Sequence, residues 1–166
     1  MFKAIYPDEY LDSTYEIDFE QLYEDGYRGV IFDIDNTLVP HGAPADERSK
    51  KLLNYLRDRG FKIVLLSNNT KTRVDMFNED LHLDTIPRGA KPLLKGYKKA
   101  MQMMGTSKEN TFFVGDQLFT DVWGAKRLGI RSILVKPINA KEEIQIVLKR
   151  KLENIVLKEY DENKKN

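Results

Sequence analysis

Short uninterrupted apolar runs alternate along the chain with segments whose apolar residues recur at helical spacing. Gly29-Val30-Ile31-Phe32, Phe61 to Leu66, Thr111 to Val114 and Ile130 to Val135 read as strands buried on both faces, and a weaker strand is expected near Asp84 to Ile86. Between the first two, Asp46 to Arg59 places Leu52, Leu53 and Leu56 on one helical face and stops at Gly60, a suitable C-cap residue. Further helices are expected from Lys71 to Leu81, from Pro92 to Gly105, and from Asp121 to Leu128 with Thr120 as N-cap and Gly129 as C-cap. Thr106-Ser107-Lys108-Glu109 has capping-box spacing but fits a turn before a strand better.

This alternation predicts an α/β fold of three layers: an open, mainly parallel, five-stranded Rossmann-like sheet with helices on both faces and right-handed crossovers. Residues 1–25 read as an irregular acidic segment packed on the domain, with eight Asp or Glu against the single Lys3; a solvated acidic arm is the alternative. Residues 141–160 read as an amphipathic C-terminal helix with Ile144, Leu148, Leu152 and Ile155 on one face beside Lys149, Arg150 and Lys151.

Composition narrows the choices. A length of 166 residues, 41% hydrophobic, is enough for one domain around one core and leaves little for a second. The 27 Lys and Arg nearly cancel the 26 Asp and Glu, so no overall field points to nucleic acid or membrane. Residues 141–166 hold seven basic and six acidic side chains, too small an excess for strong attraction to anionic lipid, which favours a helix packed on the sheet over one lying at a membrane interface. The absence of cysteine excludes disulfides, thiol catalysis and cysteine-ligated zinc. No stretch approaches the roughly 18 apolar residues of a membrane span, and the expected location is cytoplasmic, with peripheral contact at the inner face of a membrane left open.

In open parallel sheets ligands bind beyond the carboxyl ends of the strands. Asp33, Ser67 and Asp116 each follow a predicted strand end, and Lys91 precedes a helix on the same edge. An aspartate can attack phosphorus to form an acyl-phosphate, provided a cation brings the two anions together. Mg²⁺ suits this because it takes oxygen ligands, commonly one or two carboxylates plus substrate phosphate, and Asp33 and Asp116 supply such a pair. Asp35, two residues beyond Asp33, is the acid/base candidate. Ser67 can donate to a phosphoryl oxygen, and Lys91 offers it a compact positive charge.

Asp33-Ile34-Asp35-Asn36-Thr37-Leu38, Ser67 after a strand, Lys91-Pro92, and Gly115-Asp116-Gln117-Leu118-Phe119-Thr120-Asp121 resemble the four ordered motifs of the haloacid dehalogenase superfamily. The resemblance implies Asp33 as nucleophile and metal ligand, Asp35 as acid/base with its carbonyl on the metal, and Asp116 as the other metal ligand. It implies Ser67, Asn68 and Lys91 as phosphate binders, and Asp121 beyond the metal's direct ligands. Asp at the second motif position favours a phosphatase over phosphorylating pumps and dehalogenases. Only 34 positions (67 − 33) separate the first two stations and 24 (91 − 67) the next two, with no room for a cap domain. An open site suits a large ester or one closed over by another subunit, so a homo-oligomer is left open. From Pro7 through Asp18-Phe19-Glu20-Gln21-Leu22 and Gly26 to Pro137 the chain is similar to the YqeG family of subfamily IIIA phosphatases, itself similar to mitochondrial phosphatidylglycerophosphate phosphatases. That kinship implies a phosphate monoester on a lipid as substrate.

Other readings compete. A phosphatase of nucleic-acid ends, phosphoprotein or a small metabolite would use the same four stations, although no basic stripe supports nucleic acid. A non-catalytic interaction module would have no need of Asp35. His41 reads as a flexible loop histidine, His82 as structural or exposed, and Trp123 as core. Arg73 and Arg88, flanking the second and third stations, read equally as anion binders or as solvated surface residues.

Overall fold

A strand can bury every side chain it carries only with a neighbour on each side and helices above and below, and the apolar runs take those central places. The computed structural model describes residues 2–139 and 144–165 and, within the last helix, side chains from 149 onward. Its strands are β1 (Glu9–Leu11), β2 (Gly29–Phe32), β3 (Lys62–Leu66), β4 (Asp84–Ile86), β5 (Thr111–Gly115) and β6 (Arg131–Val135), all parallel, in the order β1-β6-β5-β2-β3-β4. The helices are α1 (Phe19–Glu24), α2 (Glu47–Arg59), α3 (Lys71–Asn78), α4 (Leu94–Met104), α5 (Trp123–Arg127) and α6 (Ile144–Lys164).

The sheet has six strands rather than the five expected. The sixth comes from the acidic N-terminal segment, where β1 pairs along β6 with Tyr10 opposite Leu134. Its residues are only half-buried at the sheet edge, so no apolar run announces it.

Successive side chains of a strand face opposite sides, which divides the core in two. Val30 and Phe32 join Leu53 and Leu56 of α2, Val74 and Phe77 of α3, and Phe19 and Leu22 of α1. Ile31 packs on the other face with Tyr97 and Ala100 of α4 and Ala125 of α5. The chain runs outward from β2 to β3 and β4, then returns to the far side of β2 as β5 and continues to β6. The order thus reverses between β2 and β5, and a crevice opens beyond their carboxyl ends.

Helix ends follow local chemistry. α2 has a capping box in which the Asp46 carboxylate accepts the Ser49 N–H and the Ser49 hydroxyl oxygen accepts the Asp46 N–H, and it stops at Gly60 with φ of 114°. α4 begins at Leu94, two residues later than Pro92, because the Asn68 side chain binds the main chain of Lys91 and Leu93 N–H closes a turn onto Ala90 O. The helix expected from Asp121 to Leu128 forms as α5, starting two residues later, because a π-helical turn at Leu118–Val122 precedes it. Thr120 caps nothing there; its hydroxyl bonds Gln117 Oε1 at 2.9 Å.

The C-terminal helix forms, but its packed face differs from the expected one. Leu152 and Ile155 are each 59% exposed, whereas Glu153, Val156 and Tyr160 are buried, and Val156 joins Ile5, Leu118, Val122 and Leu134 in a third apolar cluster. Ile144 and Leu148 lie where no side chains are described. The helix turns this face inward because Arg150 and Glu153 find polar partners beside β5, a constraint invisible to hydrophobic spacing. Val156→Ala should therefore lower stability by about 1–2 kcal/mol in urea unfolding, while Leu152→Ala should stay within about 0.5 kcal/mol of the parent.

Candidate active site

Asp33 and Asp116 extend adjacent strands, because Phe32 and Val114 are register partners and β2 and β5 end side by side. The tight turn after β2 folds back on itself: Asn36 takes φ of 62°, a conformation Asn tolerates, and donates its N–H to Val39 O at 2.7 Å. This carries Thr37 over Asp33, where its hydroxyl lies 3.2 Å from both Asp33 Oδ2 and Asp116 Oδ1.

A single cation holds two of the acids. Lys91 Nζ donates to Asp33 Oδ1 at 2.9 Å and to Asp121 Oδ1 at 2.7 Å, all three groups being buried. Asp121 also accepts the Gln117 N–H at 3.1 Å, a side-chain bond across the π-helical turn. Tyr97 supports that turn from below, its hydroxyl donating to Thr120 O at 2.5 Å. Gly115 is required here, since a Cβ at that position would run into the Asp121 carboxylate. Asp116 is bound by a second cation from the end of the chain: Arg150 contacts its Oδ2 and its main-chain oxygen.

Asp33, Asp116 and Asp121 each offer an oxygen within 4.8 Å of the others. Burial pushes Asp33 up to about 7, with Asp116 adding to the rise and Lys91 opposing it. Burial likewise raises Asp116, with Asp121 adding and Arg150 opposing, and raises Asp121, with Lys91 opposing and Asp33 adding. Burial works to lower Lys91, but Asp121 and Asp33 more than offset it and hold the ammonium charged. An all-oxygen, buried, mutually repelling donor set fits a hard divalent cation.

Asp35 points elsewhere. Its carboxylate accepts the Gly42 N–H at 2.8 Å, Arg73 Nε and Nη2 at 3.1 and 2.9 Å, and Asn69 Nδ2 at 3.2 Å. Burial would raise it, but the Gly42 N–H, Arg73 and Asn69 hold it below the usual carboxylate range. Ser67 is buried at the end of β3, its oxygen accepting the Asn69 N–H at 3.0 Å. The Asn68 side chain is spent on Lys91, accepting its N–H at 2.6 Å and donating to its carbonyl at 3.0 Å, so it orients the lysine and leaves only main-chain groups for a ligand.

Sequence reading gave no role to Thr37 or Arg150 and left Arg73 open between an anion binder and a solvated residue. Arg73 is buried and paired with Asp35 rather than solvated; its place in the first turn of α3, after the strand-end polar loop, was the available signal. Thr37 stood inside the first motif without a role. Arg150 had no local signal at all. His41 is exposed, with Nδ1 3.8 Å from Asp35, and His82 and Arg88 are exposed at left-handed positions. Trp123 is not core: it is 39% exposed, with the Arg127 guanidinium over its ring.

The sequence model described as haloacid dehalogenase-like hydrolase matches residues 41–129, which include Ser67, Lys91, Asp116 and Asp121. The Bacillus subtilis (strain 168) protein named "Probable phosphatase YqeG" is 35% identical over 156 residues, 93% of this chain and 91% of that protein. Phosphatidylglycerophosphate phosphatase 1, chloroplastic/mitochondrial, of Arabidopsis thaliana is 27% identical over 161 residues, 87% of this chain but 44% of that longer protein. Among solved structures, 3-deoxy-D-manno-octulosonate 8-phosphate phosphatase from Yersinia pestis shares the fold, with a TM-score of 0.55 and 11% identity over 70% of this chain and 76% of that one.

Because Asp33 is raised to about 7, the folded metal-free protein binds protons that the unfolded chain, with carboxylates near 4, releases. Its stability should fall as pH rises through that window. A divalent cation would displace those protons, so the rise in Tm on adding Mg²⁺ to chelator-treated protein should be larger at pH 7.5 than at pH 5. Gly115→Ala should displace Asp121 and cost about 1–3 kcal/mol in denaturant unfolding.

Proposed function

As the chain belongs to the haloacid dehalogenase-like hydrolases and is a phosphatase of that family, we propose that it cleaves a phosphate monoester through an aspartyl-phosphate on Asp33, with Mg²⁺ as cofactor and a lipid phosphate as substrate. The observation that carries this reading is the buried group of Asp33, Asp116 and Asp121 at the end of adjacent strands, the first and last of them bound by Lys91.

In this reading an Asp33 oxygen attacks phosphorus while the bond to the leaving oxygen breaks, and Asp35, carrying the proton it took up in the preceding turnover, passes it to that oxygen. Water then attacks the phosphorus of the acyl-phosphate, Asp35 takes the proton, and inorganic phosphate leaves with Asp33 regenerated. The ionised form of Asp35 beside Arg73 suits the second half, when it must accept a proton. Asp33, Asp116 and the Asp35 carbonyl would hold the metal, with Asp121 steering Lys91. Bound Mg²⁺ would offset the repulsion between the phosphate dianion and the carboxylate nucleophile. Lys91, the Ser67 hydroxyl and main-chain N–H groups after β3 would grip the equatorial phosphoryl oxygens.

Two features support a bulky lipid ester. The intervals between Asp33, Ser67 and Lys91 contain only α2, β3, α3 and β4, with no inserted domain to close over a small substrate. Leu93, 61% exposed, lies two residues along the chain from Lys91, and the exposed Trp123 two from Asp121, so apolar side chains reach the surface close in sequence to the charged groups. The name of the Arabidopsis relative points the same way.

Phosphate release should be Mg²⁺-dependent and greater from phosphatidylglycerophosphate in micelles than from soluble sugar phosphates or nucleotides. Activity confined to soluble esters would sink the lipid assignment. Asp33→Asn should lose at least about a thousandfold in kcat while keeping its circular dichroism, since without its nucleophile little of the rate enhancement survives.

A further inference from the structure

Lys91 makes its two carboxylate bonds to Asp33 and Asp121, and neither to Asp116. Asp116 is nonetheless fully buried, within 4.8 Å of two other carboxylates. Among the described residues, the cation that meets it is Arg150, 34 residues away on α6. We propose that Arg150 is the positioning residue for Asp116, so that the C-terminal helix is a working part of the metal-binding loop. This rests on the reading of Asp116 as a metal ligand.

The contact is built on both halves of the residue. Nη2 of Arg150 binds Asp116 Oδ2 and Nη1 binds the main-chain oxygen of the same residue, so one planar guanidinium sets the rotamer and the peptide orientation together. An ammonium, as a point charge, cannot span both. With Oδ2 taken, Asp116 turns its other oxygen, Oδ1, toward Thr37 and thence Asp33. The arginine is itself braced. Glu153, one turn along α6, lies 3.1 Å from Arg150 Nη1 and accepts the Phe119 N–H at 3.4 Å, while Lys149 Nζ donates to Gln117 Oε1 at 2.9 Å. Three side chains of α6 therefore grip residues 116, 117 and 119, and Val156 seats the helix on Leu118 and Val122 below them.

A carboxylate that ligates a metal depends on such outer partners for its orientation, and losing one commonly weakens metal binding about 10–100-fold. The opposite role, an arginine that competes with the metal for Asp116, predicts the opposite sign. Mn²⁺ binding to the chelator-treated full chain, followed by electron paramagnetic resonance or calorimetry, separates them. Arg150→Met should raise the Mn²⁺ Kd about tenfold or more, with Arg150→Lys in between. Unchanged or tighter binding in Arg150→Met overturns the proposal. Should Arg150→Met fail to fold, Glu153→Gln keeps an acceptor for Phe119 but loosens the arginine, and should weaken Mn²⁺ severalfold; no change there overturns it equally. Asp116→Asn is the control on the underlying reading. If it binds Mn²⁺ as the parent does, Asp116 is not a ligand and the metal-site assignment falls, whereas a weakened Asp116→Asn beside an unaffected Arg150→Met removes the role of Arg150 alone.

Discussion

The molecule is organised around a charge problem: three carboxylates buried close enough to share one ion. Removing such groups from water is costly unless cations and hydrogen bonds meet them, and the chain supplies both from widely separated places. Lys91 arrives from the segment before α4, Thr37 from the turn after β2, and Arg150 from α6. Each is held by its own support. Asn68 fixes the main chain of Lys91, Asn36 makes the turn that carries Thr37, and Glu153 braces Arg150.

The same constraint explains irregularities that local propensity does not. The π-helical turn at Leu118–Val122 lets the Asp121 carboxylate reach back to the Gln117 N–H and forward to Lys91, where a regular helix begun at Thr120 would leave that N–H without this partner. Gly115 has no side chain because Asp121 lies against it. The late start of α4 follows from tying Lys91 to Asn68. Departures of this kind gather where a site needs geometry that regular elements do not provide.

The two acids of the first motif also end in different settings. Asp33 lies among other carboxylates and is raised by burial; Asp35 lies against Arg73 and the Gly42 N–H and is lowered. Environment thus sets two neighbouring carboxyls apart, one raised and one lowered.

Much of this was legible in the chain. Runs of consecutive apolar residues sufficed for β2, β3, β5 and β6, because a strand buried on both faces leaves that mark, and polar residues directly after three of those strands located the site, because strand ends share an edge. What the chain could not reveal depended on partners distant in sequence. β1 exists because β6 offers it an edge; Arg73 is buried because Asp35 faces it; and α6 turns Val156 rather than Leu152 inward because Arg150 must reach Asp116. Local pattern determined the central strands, most of the helices and where the reactive groups emerge, and long-range charge pairing, which has no period along the chain, decided how those groups are held.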